Sequence, residues 1–329
     1  MSKKSILITG AAGFIGSNLS IKLSARNENE DLYLLDRDAV KLKVLEEDML
    51  SLGERPSYFL HNDISDASVL HEREEGKYDV VVHLAAVPRV AYSVEQPSET
   101  FWENTQKAVQ IFEACLKGES RVVFASSSSV YGDGVQLPTV ENSILTPKSP
   151  YALQKMAAEK AATMLSVLRG LDAVSLRFFN VYGPRQYADN AYATVISAWM
   201  SACSQGSKLR LDGDGSQSRD FCYVDDVCRA ISLCIYRENK WNGEAFNVAQ
   251  GNSHDLKWLL EWFVKEFDLD MSKDALMAPS RLGDVHKTLA DMSYTKRVLG
   301  FEPSWPLERG LRETVSWWRK KPSQKDIQH

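Results

Sequence analysis

A chain of 329 residues, 44% hydrophobic and 25% charged, carries enough apolar material for one large or two moderate domains, and this excludes a disordered or fibrous protein. Its 39 lysines and arginines against 44 aspartates and glutamates leave a formal charge of −5, so there is no basic excess to suit a nucleic acid backbone. A small anion held by two or three local arginines is untouched by that argument. No apolar run approaches the ~18 residues of a membrane span, and residues 1–7 run straight into a strand. The expectation is a cytoplasmic protein with no nucleic acid and no membrane as partner. Cys115, Cys203, Cys222, Cys228 and Cys234 form no C-x-x-C pair, and no histidine stands three or four residues from another. Neither a disulfide framework nor a metal site is expected, and the cysteines read as small core residues in a reducing compartment.

Residues 5–9 (SILIT) form a short apolar strand that ends in glycines, and 18–26 continue with helical spacing. A second strand, 31–35, ends at Asp36, and further strand-like runs occupy 58–60, 79–84, 121–125, 173–179 and 245–248. Amphipathic stretches such as 105–117 and 151–169 lie between them. β-branched runs that alternate with helical periods imply a parallel sheet covered on both faces, a doubly wound α/β (Rossmann) fold. After Asn180 the texture changes: Pro184, the GDG at 213–215, and six of the eight tryptophans between Trp241 and Trp318. This predicts a smaller lobe, 181–223 with 251–318, that caps the C-terminal edge of a sheet domain. The sheet domain comprises 1–180 with a segment near 224–250 returning to it, and 319–329 reads as a loose polar tail.

Gly10, Gly13 and Gly16 give a G-x-x-G-x-x-G spacing around Phe14 and Ile15 at the first strand-to-helix turn. Glycines there let backbone N–H groups approach a pyrophosphate at a helix N-terminus. Asp36 ends the next strand, 20 residues after Gly16, where a carboxylate accepts the ribose hydroxyls of an adenosine and repels a 2′-phosphate, so NAD is favoured over NADP. Arg37 beside it works against that preference without reversing it. Asp63 and Ile64 follow the third strand, where an adenine edge is expected, and the small residues of Leu84-Ala85-Ala86 after the fourth leave room for a dinucleotide.

The strand at 121–125 runs into Ser126-Ser127-Ser128-Ser129-Val130-Tyr131-Gly132, and Ser149-Pro150 opens a helix that carries Tyr151 and Lys155. Their i, i+4 spacing puts both side chains on one helical face. A phenol titrates near 10; a neighbouring ammonium and a bound, positively charged nicotinamide favour the phenolate and make it a usable base. A serine hydroxyl at the end of the adjacent strand is placed to bridge a substrate hydroxyl and that tyrosine.

The ordered series GAAGFIG, HLAA, SSSSVYG, YALQK and LRFFNVYGPRQ resembles the extended short-chain dehydrogenase/reductase superfamily, and within it the NAD-dependent nucleotide-sugar epimerase/dehydratase family, from Ile6 to about Trp318. The resemblance implies that Ser127, Tyr151 and Lys155 are catalytic, that Lys155 also holds the nicotinamide ribose, and that Asn104 and Phe179 belong to the cofactor site. It implies that Asn180 meets a sugar-nucleotide diphosphate clamped by Arg219 and Arg281, whose forks suit phosphate oxygens. Arg210 falls where the uracil is contacted, Asp284 near the nucleotide ribose, and Ser128, Gln186, Thr194 and Val195 on the substrate side. Thr288 matches a gatekeeper beside the sugar, and Arg89, in the loop after HLAA, is placed to face a sugar carboxylate. A homodimer through the helices at 105–117 and 156–168 is a further implication.

Dehydratases of the family typically carry Thr-Asp-Glu where this chain has Ser127-Ser128-Ser129, so the resemblance points to reversible epimerisation at sugar C4. Tyr151 takes the hydroxyl proton, the hydride passes to NAD, the flat 4-keto sugar turns about its diphosphate, and the hydride returns to the other face. The run at 185–196 with SRDFCYV, and the small Thr288, are similar to UDP-N-acetylglucosamine 4-epimerases. UDP-glucuronic acid, UDP-N-acetylglucosaminuronic acid and UDP-glucose stay open as substrates, as do nucleotide-sugar reductase, decarboxylase or dehydratase outcomes. A non-catalytic NAD-binding regulator is the reading from another class, and the intact Ser127/Tyr151/Lys155 set argues against it.

Overall fold

The apolar run Lys4–Thr9 forms β1, and the glycine turn after it leads into α1 (Phe14–Ser24). The computed structural model describes residues 4–26, 30–54, 57–133, 136–187, 194–279 and 286–320. In chain order there follow β2 (Glu30–Asp36), α2 (Ala39–Ser51), β3 (Tyr58–His61), α3 (Ala67–Glu74), β4 (Val80–His83), α4 (Val90–Glu95) and α5 (Pro97–Phe101). A π-helical turn, Trp102–Gln106, precedes α6 (Lys107–Lys117), and β5 (Arg121–Ser127) ends in a 3-10 turn, Ser128–Tyr131. Next come α7 (Pro150–Arg169), β6 (Ala173–Phe178), β7 (Asn180–Tyr182), α8 (Val195–Gln205), β8 (Leu209–Asp212), β9 (Ser218–Tyr223), α9 (Val224–Tyr236) and β10 (Asn242–Val248). The chain closes with β11 (Ser253–Asp255), α10 (Leu256–Glu266), α11 (Met271–Asp274), β12 (Ala275–Ala278), α12 (Ser293–Leu299) and α13 (Leu307–Lys320).

The main sheet has seven strands in the order β10-β6-β5-β4-β1-β2-β3, and every pairing in it is parallel. Strand order reverses between β1 and β4, and such a switch point opens the crevice in which doubly wound sheets bind ligands. The continuous apolar runs follow from burial on both faces. Ile6, Ile8, Leu32, Leu34, Val80 and Val82 pack in one cluster with residues of α1 and α9, while Leu7, Leu35, Val81, Val122 and Phe124 pack in another with Ile111 and Phe112 of α6 and Ala158 of α7.

The chain leaves this sheet after Phe178 and returns to it at β10, which pairs with β6. Between and after these points it builds a three-stranded sheet, β11-β9-β7, and a two-stranded one, β12-β8. These share a core of Trp199, Phe221, Tyr223, Leu259, Phe263 and Leu311, against which Trp258, Trp262, Trp305 and Trp318 pack. Four of the six tryptophans of the 241–318 stretch thus pack against this second core, whereas Trp241 is buried in the core of the main sheet. Arg319 and Lys320, expected in a loose tail, instead belong to the last turn of α13, where Arg319 ion-pairs with Glu266 at 3.4 Å. Residues 321–329 lie outside the described ones.

A buried ion pair fastens α7 to the sheet. Arg177 of β6 meets Glu159 of α7 at 2.6 Å and again through Nε at 3.0 Å, with both side chains at most 3% exposed. Glu159 also accepts the Ser126 hydroxyl at 2.7 Å, and Arg177 donates to the Tyr131 hydroxyl at 2.8 Å and to the Glu141 carbonyl at 2.7 Å. Two charges survive out of water because partners surround both. Glu159→Gln leaves the guanidinium without its counter-charge and is expected to cost about 3–5 kcal/mol in chemical denaturation. Glu159→Gln with Arg177→Met, which removes both charges, is expected to lose less than Glu159→Gln alone.

Candidate active site

The turn between β1 and α1 is built for close backbone approach. Gly10 has φ +70°, and a Cβ there would stand 2.8 Å from the Ala85 nitrogen; a Cβ on Gly16 would stand 2.1 Å from the Gly10 carbonyl oxygen. Side chains at either position would wedge the loop away from β4 or from the start of the helix. Gly13 caps α1 without a side chain, and the first turn, Phe14 and Ile15 onward, holds no acidic residue. The helix end therefore offers its N–H groups to an anion. Asp36, at the end of β2, accepts from Ala12 N–H at 3.0 Å and from Asp38 N–H at 3.0 Å, which brings its carboxylate beside the glycine loop. This cradle, with a carboxylate beside it, fits a dinucleotide such as NAD.

After β3, Asp63 accepts from the Lys107 ammonium at 2.7 Å and from the Ser65 hydroxyl at 2.6 Å. Partial burial raises its pKa, but these bonds win and hold the carboxyl down to about 2. Ile64 beside it is buried in the core, while Leu84, Ala85 and Ala86, after β4, are half-buried at the crevice. Asn104, in the π-helical turn, is fully buried and its amide is committed to Val87 N–H (2.7 Å), Val87 carbonyl (3.1 Å) and Gln154 (2.8 Å). It acts on the crevice by securing the loop after β4. A π turn at such a point is often functional.

Ser127, Tyr151 and Lys155 come together where β5 ends and α7 begins. The Ser127 hydroxyl accepts from Ser129 N–H (3.2 Å) and from the Ser129 hydroxyl (2.9 Å), and it lies close enough to the Tyr151 phenol to pull its pKa down. Burial pushes that phenol up to about 12, with the Ser127 hydroxyl opposing. Tyr151 N–H donates to the Ser93 hydroxyl of α4 at 3.0 Å, which seats the start of α7. Lys155, one turn on, is buried; its ammonium donates to the Ala125 carbonyl at 2.9 Å and lies 5.0 Å from the Phe124 ring centre. Burial lowers its pKa to about 8. Phe179, just past β6, is buried and bonded through its N–H to the Val248 carbonyl at 3.1 Å.

On the other side of the crevice, Asn180 begins β7 and accepts from the Thr288 hydroxyl at 3.2 Å; that hydroxyl in turn accepts from Asp220 N–H at 2.9 Å. Arg219, on β9, is buried and donates to the Ser218 and His286 carbonyls at 3.0 and 3.2 Å. Asn180, Arg219 and Thr288 are thus one cluster. Gln186 donates to the Val181 carbonyl at 3.1 Å, while its Oε1 is buried without a hydrogen-bond partner among the described residues. Thr194 is the N-cap of α8, whose first residue is Val195, and Arg89 is the N-cap of α4. Ser128 opens the 3-10 turn. Arg210 belongs to the two-stranded sheet, where it is largely exposed and pairs with Asp212 at 2.8 Å. Arg281, Asp284 and 188–193 of the run at 185–196 lie outside the described residues.

Sequence reasoning passed over several residues that hold this site. Glu159 was within reach, because it continues the Tyr151 and Lys155 spacing by one more helical turn. Asp220 is fully buried and accepts from the N–H groups of Gln250, Gly251 and Ala290 at 2.9, 3.2 and 3.0 Å. Burial lifts its pKa to about 6 against the pull of those bonds. No local spacing announces a carboxylate that ties two distant backbone segments to its own strand.

Known proteins share this arrangement. The model of the NAD dependent epimerase/dehydratase family matches residues 6–249. UDP-glucose 4-epimerase of Mycolicibacterium smegmatis is 34% identical over 321 residues, 96% of this chain and 98% of that one. Among solved structures, UDP-N-acetylglucosamine 4-epimerase from Methanobrevibacter ruminantium in complex with UDP-N-acetylmuramic acid superposes with a TM-score of 0.86 at 32% identity, covering 97% of this chain and 99% of that one. UDP-glucuronic acid 4-epimerase from Bacillus cereus, in complex with UDP-glucuronic acid and NAD, gives a TM-score of 0.85 at 26% identity, covering 96% and 99%. With the glycine cradle, Asp36 and the Ser127–Tyr151–Lys155 set in place, the family match over well more than half of the sequence makes this chain a member of the NAD dependent epimerase/dehydratase family.

Proposed function

We propose that the protein is an NAD-dependent UDP-sugar 4-epimerase whose substrate pair is UDP-N-acetylglucosamine and UDP-N-acetylgalactosamine. The observation that carries this is the convergence of the Ser127 hydroxyl on the half-buried Tyr151 phenol, whose pKa it lowers, with Lys155 one turn on along the same helix. The serines at 128 and 129 fit epimerisation, since neither supplies the carboxylic acid and base that expulsion of water from the sugar requires. The small Thr288 beside Asn180 leaves volume for a 2-acetamido group, and Arg219 is the described cation on the diphosphate side.

At neutral pH the Tyr151 phenol of the free protein is protonated, because burial holds it near 12. Lys155, with a pKa near 8, is mostly charged there, and its field favours the phenolate. When bound, NAD supplies the hydride acceptor and, oxidised, a further positive charge. Once the phenol has released its own proton to solvent under those two charges, the Tyr151 phenolate takes the proton of the C4 hydroxyl and later returns it, while Ser127 donates to the substrate oxygen and holds it within reach of the phenol. Asn180 and Arg219 grip the diphosphate about which the sugar turns. Arg89, at the entrance to α4, favours a second reading with a uronic acid sugar.

A homodimer accompanies this reading. Leu153, Met164 and Leu168 are exposed along α7, with the half-buried Ala157 and Ala161 between them, and Phe101 and Trp102 are exposed nearby in the chain before α6. Such an apolar stripe suits a partner copy.

Purified protein incubated with each UDP-sugar in turn, with NAD supplied, is expected to interconvert UDP-N-acetylglucosamine and UDP-N-acetylgalactosamine by chromatography; no interconversion of any UDP-sugar would overturn the assignment. Tyr151→Phe is expected to lower kcat by about 10²–10⁴-fold with UDP-sugar binding retained, and full activity in that variant would show that the base lies elsewhere. Light scattering is expected to give a dimer mass, reduced to the monomer in Met164→Glu/Leu168→Glu; a monomeric parent protein sinks the dimer.

A further inference from the structure

The strand-end carboxylate Asp36 accounts for a preference for NAD only if the guanidinium next to it is kept out of play. An arginine that follows such a carboxylate is the group a 2′-phosphate seeks, because a planar fork matches phosphate oxygens. Arg37 does not stand free. Its guanidinium is bonded to Glu103 at 2.9 Å, 66 residues away in the π-helical turn. Glu103 is anchored in turn by Lys107 at 2.7 Å, and Lys107, 6% exposed, also meets Asp63 at 2.7 Å. The four side chains form an alternating row, Asp63, Lys107, Glu103, Arg37, that joins the ends of β2 and β3 to the start of α6. Its charges cancel, which leaves Asp36 as the uncompensated anion beside the adenosine ribose.

We infer that Glu103 is a specificity-determining residue: by holding Arg37 it disarms the one cation that follows Asp36 and so turns the site against NADP. The pair is not there for stability. Arg37 is 59% exposed, and an ion pair so placed contributes at most about 1 kcal/mol to folding. What it changes is where the guanidinium lies and how much charge a ligand meets. Glu103→Gln keeps the shape of the π-helical turn, releases Arg37 and shifts the local balance by one unit towards positive charge.

The test reads cofactor retention, not sugar turnover, so it is independent of the substrate assignment. The protein is equilibrated with an equimolar mixture of NAD and NADP, separated from free nucleotide and denatured, and the retained dinucleotides are quantified by mass spectrometry. Relative to the parent, Glu103→Gln is expected to raise the NADP-to-NAD ratio about tenfold, the worth of one charge-assisted contact. Adding Arg37→Ala to it is expected to restore the parent ratio. Thermal unfolding of both variants confirms that each is folded. An unchanged ratio in folded Glu103→Gln overturns the inference, and so does a gain that persists once Arg37 is removed.

Discussion

The relative placement of Ser127, Tyr151 and Lys155 depends on one buried ion pair, Glu159 with Arg177. Tyr151 and Lys155 sit on α7, Ser127 on β5, and nothing covalent keeps these two elements in register. Glu159 supplies the tie: from the same face of α7 it grips Arg177 on β6 and the Ser126 hydroxyl next to Ser127. The network continues through Tyr131 to Asn247 of β10 at 2.6 Å, and Asn247 reaches the carbonyls of Thr139 and Asp291. Thr288 is three residues from Asp291. A single charged network thus sets the position of Tyr151 against the strand that carries Ser127 and against the segment that carries Thr288.

The pKa values of Tyr151 and Lys155 are both displaced by burial, in opposite chemical senses. The phenol is pushed away from ionisation and the ammonium towards losing its proton. Each change weakens charge in the free protein. The cost of desolvating Lys155 is met by the scaffold, through the Ala125 carbonyl and the Phe124 ring.

Much of this was legible from residues alone, for definite reasons. The seven parallel strands lie within a few residues of the apolar runs, because strands buried on both faces have no alternation to confuse their ends. Gly10, Gly16, Asp36, Tyr151 and Lys155 were legible because their requirements are local: a left-handed φ, a close approach, a strand end, one helical turn. What stayed hidden is non-local. That Arg37 is occupied depends on Glu103, 66 residues on, and the bond between Asn180 and Thr288 spans 108 residues. Asn104 shows the same limit: its place near the cofactor crevice could be read, but not that its amide would be spent on Val87. The second layer was recognisable from its tryptophans, but its strand order, β11-β9-β7, pairs segments that no period connects.

The way the chain passes between its two layers bears on what a ligand meets. β6 gives way to β7 across the single residue Phe179, β9 runs directly into α9, and β10 reaches β11 across four residues. Three such short passages act as parallel tethers, and Asp220 pins two of the backbone segments around them to β9. A lobe moored in this manner is held to the sheet at three places, and not by one linker. A ligand in the crevice would then meet two walls that three short passages hold in step.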